Sequence, residues 1–383
     1  MELFDPSEPL HDAPLFRELQ RVMASSSGPV NWELARQVGV ATAAEAGEDP
    51  EPNVQDVAEL EEAVRVAELH VARTTDLEPP AELTRVRALR RAVWVGATIE
   101  DLHALLEPAA AAQTRALERA IAEQLGQEAP GLAPILRQLG PLLQGTQVGT
   151  VLGALARTVL SGADLPFPHP GQAATFVVPN LAAFERAWAL ERREFRTWAA
   201  LRELALRFAF AHPWAGERFR ELVVEYGSAL RIDVAALGER LAELDPADPE
   251  ALRRFLEHEA QPAFVELDDE QRITLGRIQA LVAMADAWAD HVAERIAAEL
   301  LPGAPRIREA LVRARDARSG ELPLRHLFGV DLPSELPRRA AAFCEAVASA
   351  TDEPTLARIW SSPEALPSLP EIDEPTLWLS RSV

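Results

Sequence analysis

One helical stretch of this chain, Phe195–Trp214, has a residue spacing close to that of a zinc-binding motif. In the pentapeptide H-E-x-x-H, two histidines one helical turn apart bind zinc, and the glutamate between them polarises the attacking water. The same five positions here run from Arg202 through Glu203 to Leu206. The glutamate is present and both histidines are absent. Taken alone, R-E-L-A-L is also an ordinary helical pentapeptide, so its interpretation depends on the rest of the chain.

Short motifs in the same order and at similar spacing occur along nearly the whole chain. These motifs are PVNWELA (Pro29–Ala35), Trp94, GTQVGTVLG (Gly145–Gly153), VVPN (Val177–Asn180), HPW (His212–Trp214), DAWADHV (Asp286–Val292), FCEAV (Phe343–Val347) and the tail Ile359–Arg381. Together they resemble a family of bacterial zincin-like hydrolases, described as zinc-dependent metalloproteases of unknown function, one branch of which is associated with deazaflavin cofactor biosynthesis.

The resemblance implies what the site has lost. It places Arg202 and Leu206 at the two histidine positions and makes Glu203 a remnant of the general base. Asp286 stands where the family carries a glutamate, the third metal ligand. Zinc is the metal of intact relatives, but two carboxylates do not make the usual three-ligand zinc site, so no metal or other cofactor is expected here.

Arg202 is the residue for which helix geometry makes the sharpest prediction. Its neighbours one turn away are apolar, so the guanidinium does not easily face water and needs a carboxylate partner. Asp286 also has mostly apolar neighbours. We predict that Arg202 has replaced the metal as the cation and pairs with Asp286 or Glu203; alternatively, Arg202 extends to solvent and the site is ordinary packing.

A pocket around this helix is predicted from the same motifs. In zincins an edge strand beside the active helix pairs with the substrate backbone, and the resemblance gives that place to the segment before the helix. The predicted pocket residues are Trp198, His212, Trp214, Asp290, His291, Val177, Val178 and Asn180.

Composition favours a helical protein and excludes several classes of function. The 383 residues are rich in Ala, Leu, Arg and Glu, which favours an all-α fold with at most a short strand at Thr175–Asn180. A formal charge of −22 argues against a nucleic-acid partner. Cys344 is the single cysteine, which excludes an internal disulfide and favours a buried structural thiol. Without a secretory leader or a long apolar run, we expect a cytoplasmic protein that does not enter the membrane.

The chain reads as a single domain over residues 1–383, with an irregular lead-in at 1–30 and short helices with prolines at 318–383. Helices are predicted from Asn31, over Val54–Arg73, from Ala81 through Trp94, over Ile99–Leu125 with a break near Pro108, and over Ile135–Leu160, Leu222–Leu244, Ala251–His258 and Asp268–Leu301. Leu181–Ala211 is predicted as one long helix or two abutting helices. The glycines at 145, 149 and 153 indicate close helix packing in the core rather than membrane dimerisation.

These observations favour a catalytically inactive relative of the zincin-like hydrolases, with a groove beside Val177–Asn180 that binds a peptide or a partner protein. Two alternatives stay open. One is an active metal-dependent hydrolase with altered ligands and Glu203 as general base. The other is a structural or assembly protein. The sequence does not give the oligomeric state.

Overall fold

Helices make up most of the described chain, and several begin at residues that can cap them. Asn31 accepts a hydrogen bond from the backbone of Leu34. Asp268 and Gln271 form a reciprocal capping box at the start of the longest predicted helix of the second half. This predominance of helix confirms the all-α prediction. The computed structural model describes residues 28–80, 85–124, 132–168, 173–232, 265–317 and 324–382.

The helices are numbered here in chain order. In the first half they are α1 (Trp32–Ala44), α2 (Val54–Thr75), α3 (Arg91–Gln124), α4 (Leu132–Ala156), α5 (Val178–Trp188) and α6 (Arg192–Phe210). In the second half they are α7 (Pro213–Ala229), α8 (Asp269–Leu300), α9 (Ala304–Ala317), α10 (Leu324–Phe328), α11 (Leu336–Ala350), α12 (Glu353–Ala357), α13 (Leu369–Asp373) and α14 (Pro375–Ser382).

Two small pairs of strands accompany the helices in the described residues. Strand β1 (Val86–Leu89) pairs in parallel with β2 (Ala174–Val177), with Val86 opposite Ala174. Strand β3 (Arg231–Ile232) pairs antiparallel with β4 (Val265–Glu266). The short strand predicted within 175–180 is therefore present as β2. It runs directly into α5, whose first turn contains Pro179.

The predicted helix from Ala81 through Trp94 is wrong. Val86–Leu89 form a strand, and helix α3 begins only at Arg91. The V-R-A-L segment is a strand because it pairs with β2, nearly ninety residues further along the chain, and that pairing is not visible in local sequence. The predicted break near Pro108 is also wrong, since α3 continues through it.

The predicted helix over Leu222–Leu244 is also wrong where the structure describes it. Helix α7 covers Pro213–Ala229, with Pro213 at its first position, and Arg231–Ile232 form β3 because they pair with β4.

Several other predicted boundaries agree with the structure. The long segment before residue 211 forms two helices, α5 and α6, and α8 matches its predicted range within one residue at each end. The predicted helix over 251–258 and most of the lead-in lie outside the described residues. The single-domain assignment stays a prediction. None of the helices that the structure describes is both long and apolar enough to cross a membrane.

The glycine-spaced helix packs closely against α1, as predicted. A Cβ atom added at Gly145, Gly149 or Gly153 would lie only 2.4–2.5 Å from a backbone carbonyl oxygen of α1 or its cap. Such distances leave no room for a side chain. The two backbones therefore touch at successive turns along the helix pair.

Helix α6 is held in the interior between α2 and α8. Its fully buried Arg196 donates to Glu185, Glu59 and Asp56, which lie on α5 and α2. Because a buried arginine needs charged partners on several sides, this contact fixes both the position and the rotation of α6. The same rotation orients Arg202, nearly two turns later.

Candidate functional site

Arg202 lies near the middle of α6 and is only 4% exposed. Each of its three guanidinium nitrogens donates to a different aspartate. Nε donates to Asp290 at 2.6 Å, Nη1 to Asp164 at 3.0 Å, and Nη2 to Asp286. Burial opposes the charged form, but the charges of Asp290, Asp286 and Asp164 outweigh it and keep the pKa of Arg202 above its ordinary value. The arginine is therefore a permanent buried cation and does not extend to solvent.

The aspartates come from two elements on opposite sides of the guanidinium. Asp286 and Asp290 are four residues apart on α8, so they share one face of that helix. Asp164 ends a short 3-10 turn, Gly162–Asp164, that follows α4. Its Oδ2 accepts from the backbone of Leu160 at 2.6 Å, while Oδ1 accepts from Arg202. The same carboxylate thus shapes the turn and joins it to the central helix.

Glu203 points away from this cluster because successive residues on a helix are about 100° apart. Its Oε2 accepts from the backbone of Ala163 at 2.6 Å, and its Oε1 accepts from the backbone of Thr175 at 3.1 Å and from Arg207 Nε at 3.0 Å. The side chain is buried. Arg202 therefore pairs with Asp286, and the predicted alternative pairing with Glu203 does not form.

The packing around Glu203 leaves no room for a further side chain. A Cβ atom added at Gly162 would lie 2.8 Å from Glu203 Oε1 and 3.0 Å from Arg207 Nη2. Glycine at this position lets the 3-10 turn approach the carboxylate closely enough for the hydrogen bond from Ala163. The requirement is for space, not for an unusual backbone angle.

The edge of β2 that faces away from β1 is also occupied. Val177 N donates to Leu160 O at 3.0 Å, and Ser161 forms an antiparallel bridge with Phe176. The backbone of Thr175 donates to Glu203, as described above. Both N–H groups on this edge therefore have partners within the chain, and Val177 is fully buried.

The remaining predicted groove residues are internal as well. Val178 is 5% exposed and Asn180 is 4% exposed. The Asn180 side-chain amide donates to the carbonyl oxygens of Ala156 and Val159, and its Oδ1 accepts from Arg91 Nε. Asn180 thus links α5 to the end of α4 and the start of α3. The prediction that Val177, Val178 and Asn180 line an open groove does not agree with this burial.

Of the aromatic residues predicted for the pocket, Trp198 is part of the buried core, and the partly buried Trp214 packs against it. Trp198 stacks on Phe195 with ring centres 6.1 Å apart, and Trp214 donates from Nε1 to the carbonyl oxygen of Trp360 at 2.9 Å. Leu206, at the second histidine position, is buried in the same apolar cluster. These three side chains contribute packing around α6.

Two histidines, His212 and His291, were predicted to line the pocket. His291 is on α8, but its Nε2 lies 3.1 and 3.2 Å from the carboxylate oxygens of Glu353 on α12. His212 is the half-buried residue immediately before α7. The imidazole of His291 therefore joins α8 to α12.

The sequence interpretation missed Asp164 and assigned Asp290 only to the pocket. Ser161 and Asp164 have the S-x-x-D spacing of a capping box, which could have located the turn. That spacing does not indicate which way the second oxygen of Asp164 points. The spacing of Asp286 and Asp290 did put both on one helix face, and it could have indicated that both meet Arg202.

Comparisons with known proteins agree on the class of protein. A protein from Chloroflexus aurantiacus, whose crystal structure is described as that of a putative hydrolase with a novel fold, is 25% identical in sequence. The match covers 92% of this chain and 98% of that protein, with a TM-score of 0.65. A comparison with curated proteins finds no match. The family model for zincin-like metallopeptidases matches residues 30–379, and the chain therefore belongs to the zincin-like metallopeptidase family.

Proposed function

We propose that this protein is a non-catalytic member of its family, in which the guanidinium of Arg202 replaces the catalytic metal and joins elements of the fold. The observation that carries the proposal is the contact of all three guanidinium nitrogens with Asp164, Asp286 and Asp290. On this proposal the protein acts by binding or assembly rather than by hydrolysis.

The residues at the family's metal position do not fit zinc. A catalytic zinc needs three protein ligands with lone pairs and one open position. Arg202 carries a positive charge and has only donors, and Leu206 has no polar atom. In the parts of the chain that the structure describes, no three His, Cys, Asp or Glu residues are grouped so that they could hold a metal ion.

The surroundings of Glu203 argue against its use as a general base. A general base must reach the proton that it removes, directly or through one water. Here the carboxylate already accepts from Ala163, Thr175 and Arg207 and has 1% of its surface exposed. An active hydrolase with altered ligands would have to break these hydrogen bonds before Glu203 could meet water. This supports the non-catalytic proposal over that alternative.

The experiment that tests the proposal is a measurement of bound metal. Protein purified without a chelator or a histidine tag is analysed by plasma mass spectrometry. We expect less than about a tenth of an equivalent of zinc, manganese or iron, because Arg202 and Leu206 cannot donate a lone pair to the ion from their side chains. Near one equivalent that disappears in Asp286→Asn would overturn the proposal.

Peptide hydrolysis provides the second readout. The wild-type protein and Glu203→Gln are incubated with a casein digest, and cleavage is followed by mass spectrometry. We expect no cleavage above buffer in either sample. Cleavage by the wild type that is lost in Glu203→Gln would favour the hydrolase alternative.

A further inference from the structure

The turn that follows α4 makes contacts of the kind that a bound peptide would make beside an active helix. Its first two residues, Leu160 and Ser161, pair antiparallel with the outer edge of β2. Its third and fourth residues, Gly162 and Ala163, lie against Glu203, and Asp164 reaches the cation. Backbone pairing with an edge strand is the usual way in which an extended peptide is held.

We infer that residues Leu160–Asp164 occupy, from within the chain, the place beside β2 and Glu203 that an extended peptide would take. This segment takes three binding features at once, namely the outer N–H of Val177, the carboxylate of Glu203 and the guanidinium of Arg202. A peptide supplied by another molecule could use the edge of β2 only after this segment had left. The inference does not depend on whether the protein is catalytic.

The burial of the segment shows that the contact is extensive. Leu160, Ser161 and Ala163 are 6%, 3% and 1% exposed. The segment also has an internal reason to keep its shape, since Ser161 and Asp164 cap its 3-10 turn reciprocally. The turn therefore has little conformational entropy to lose when it packs against β2 and Glu203. A flexible peptide would lose more, which favours occupation of this place by the segment.

Gly162 gives a selective way to open the contact. The Cβ of Gly162→Ala would lie 2.8 Å from Glu203 Oε1. The added methyl group should push the turn away from the carboxylate while leaving α6 and α8 unchanged. Gly216→Ala is the matched control, because the nearest atom to a Cβ added at Gly216 is 4.0 Å away.

Amide hydrogen exchange with single-residue resolution measures the result at Thr175 and Val177. In the wild type we expect both amides to exchange as slowly as the core of α6. In Gly162→Ala we expect them to exchange at least about tenfold faster than in Gly216→Ala, because they lose partners that lie in the turn or are held against it. The amides within α6 should be unaffected and serve as the internal reference.

A milder variant covers the case in which Gly162→Ala does not fold. Asp164→Asn keeps the size of the side chain and removes its charge, so it weakens the contact with Arg202. We expect the same two amides to exchange faster in this variant. Fast exchange of Thr175 and Val177 in the wild type, or exchange in both variants equal to that of Gly216→Ala, would overturn the inference.

The hydrogen-exchange experiment and the metal measurement test the inference and the proposed function separately. Bound zinc together with slow exchange at Thr175 and Val177 would contradict the non-catalytic proposal and leave the inference standing. Metal-free protein with fast exchange at these amides would contradict the inference alone.

Discussion

A guanidinium and a zinc ion both neutralise carboxylates, but only zinc can also offer an open position to a reacting molecule. In this protein every nitrogen of Arg202 already faces an aspartate. The three aspartates of the chain therefore use all three nitrogens of the guanidinium. Its effect on the protein should appear in stability, and that can be measured with single substitutions.

Replacing Arg202 with methionine should strongly destabilise the protein. The change leaves three carboxylates facing one another without the cation between them, and removal of one partner of a buried ion pair costs about 3–5 kcal/mol. Urea unfolding followed by circular dichroism measures the difference. Arg202→Lys should recover part of the loss, because an ammonium keeps the charge but cannot reach three aspartates in the same way.

Arg65→Met is the matched control for this prediction. Arg65 also pairs with a carboxylate, Glu62, but both side chains are 65% exposed. We expect no resolvable change in its unfolding curve. Equal stability of Arg202→Met and the wild type would show that the buried cation contributes nothing to the fold.

For single residues, the sequence predicted the burial of Arg202 but not all of the carboxylates that contact it. The apolar neighbours of Arg202 on a helix were enough to predict burial and a carboxylate partner, and Asp286 was one of the two named. Asp164 could not be predicted, because it lies in an irregular segment and meets α6 only through the tertiary fold. The orientation of Glu203 toward the turn depends on the same segment.

At the scale of elements, glycines decide how closely helices approach. The pair α1 and α4 is in contact through backbone atoms at Gly149, where an added Cβ would lie 2.4 Å from the carbonyl oxygen of Ala35. A backbone atom cannot move aside as a flexible side chain can. The spacing of the helices is therefore set by the absence of side chains along one face of α4.

Gly149→Ala should lower the free energy of unfolding by about 1–3 kcal/mol, because overpacking forces the helices apart. The matched control is Gly96→Ala in α3, where nothing lies within 4 Å of the added Cβ. That control should be neutral or stabilised by up to about 1 kcal/mol, since alanine favours helix more than glycine does. Thermal unfolding of both variants measures the difference, and equal melting temperatures would contradict the prediction.

Helices were predicted better than strands for a physical reason. Helix α8 is specified locally by its capping box at Asp268 and by Pro302 just after its end, so its limits can be read from sequence. Strand β1 has only four residues and exists through its pairing with β2. A prediction from local pattern therefore assigned it to a helix.

At the scale of the whole molecule, arginine–carboxylate contacts tie distant parts of the chain together. Arg196 joins α2, α5 and α6, Arg202 joins the turn after α4 to α6 and α8, and Arg381 joins the last helix to α13. The chain contains no lysine, so all of these side-chain cations are guanidinium groups. Their charge does not change over the ordinary pH range, so in these contacts the carboxylate partners are the groups that titrate in acid.

Stability should fall as the pH is lowered from about 4.5 to about 2. The hydrogen bond from Arg381 is the main reason that the pKa of Glu371 is lowered to about 2. Burial would raise the pKa of Asp56, but the bond from the backbone of Asn53 and the charge of Arg196 keep it below its ordinary value. Because these carboxylates are more acidic in the folded state, their contribution is present above their unfolded pKa values and is lost as they take up protons.

Urea unfolding at several pH values between 6 and about 2.5 measures this dependence. In Glu371→Gln the decline should be less steep than in the wild type, because one of the groups that takes up a proton in this range has been removed. The same slope in both proteins would show that the contact between Glu371 and Arg381 does not contribute.

The contact of Arg202 with three aspartates has a consequence for evolution. On the proposal that Arg202 replaces a metal, a return to metal binding would require histidines at both 202 and 206, and either single step is unfavourable. Arg202→His alone removes the permanent cation from among the carboxylates, and Leu206→His alone puts a polar ring into an apolar cluster. If the proposal holds, the exchange is therefore difficult to reverse one substitution at a time.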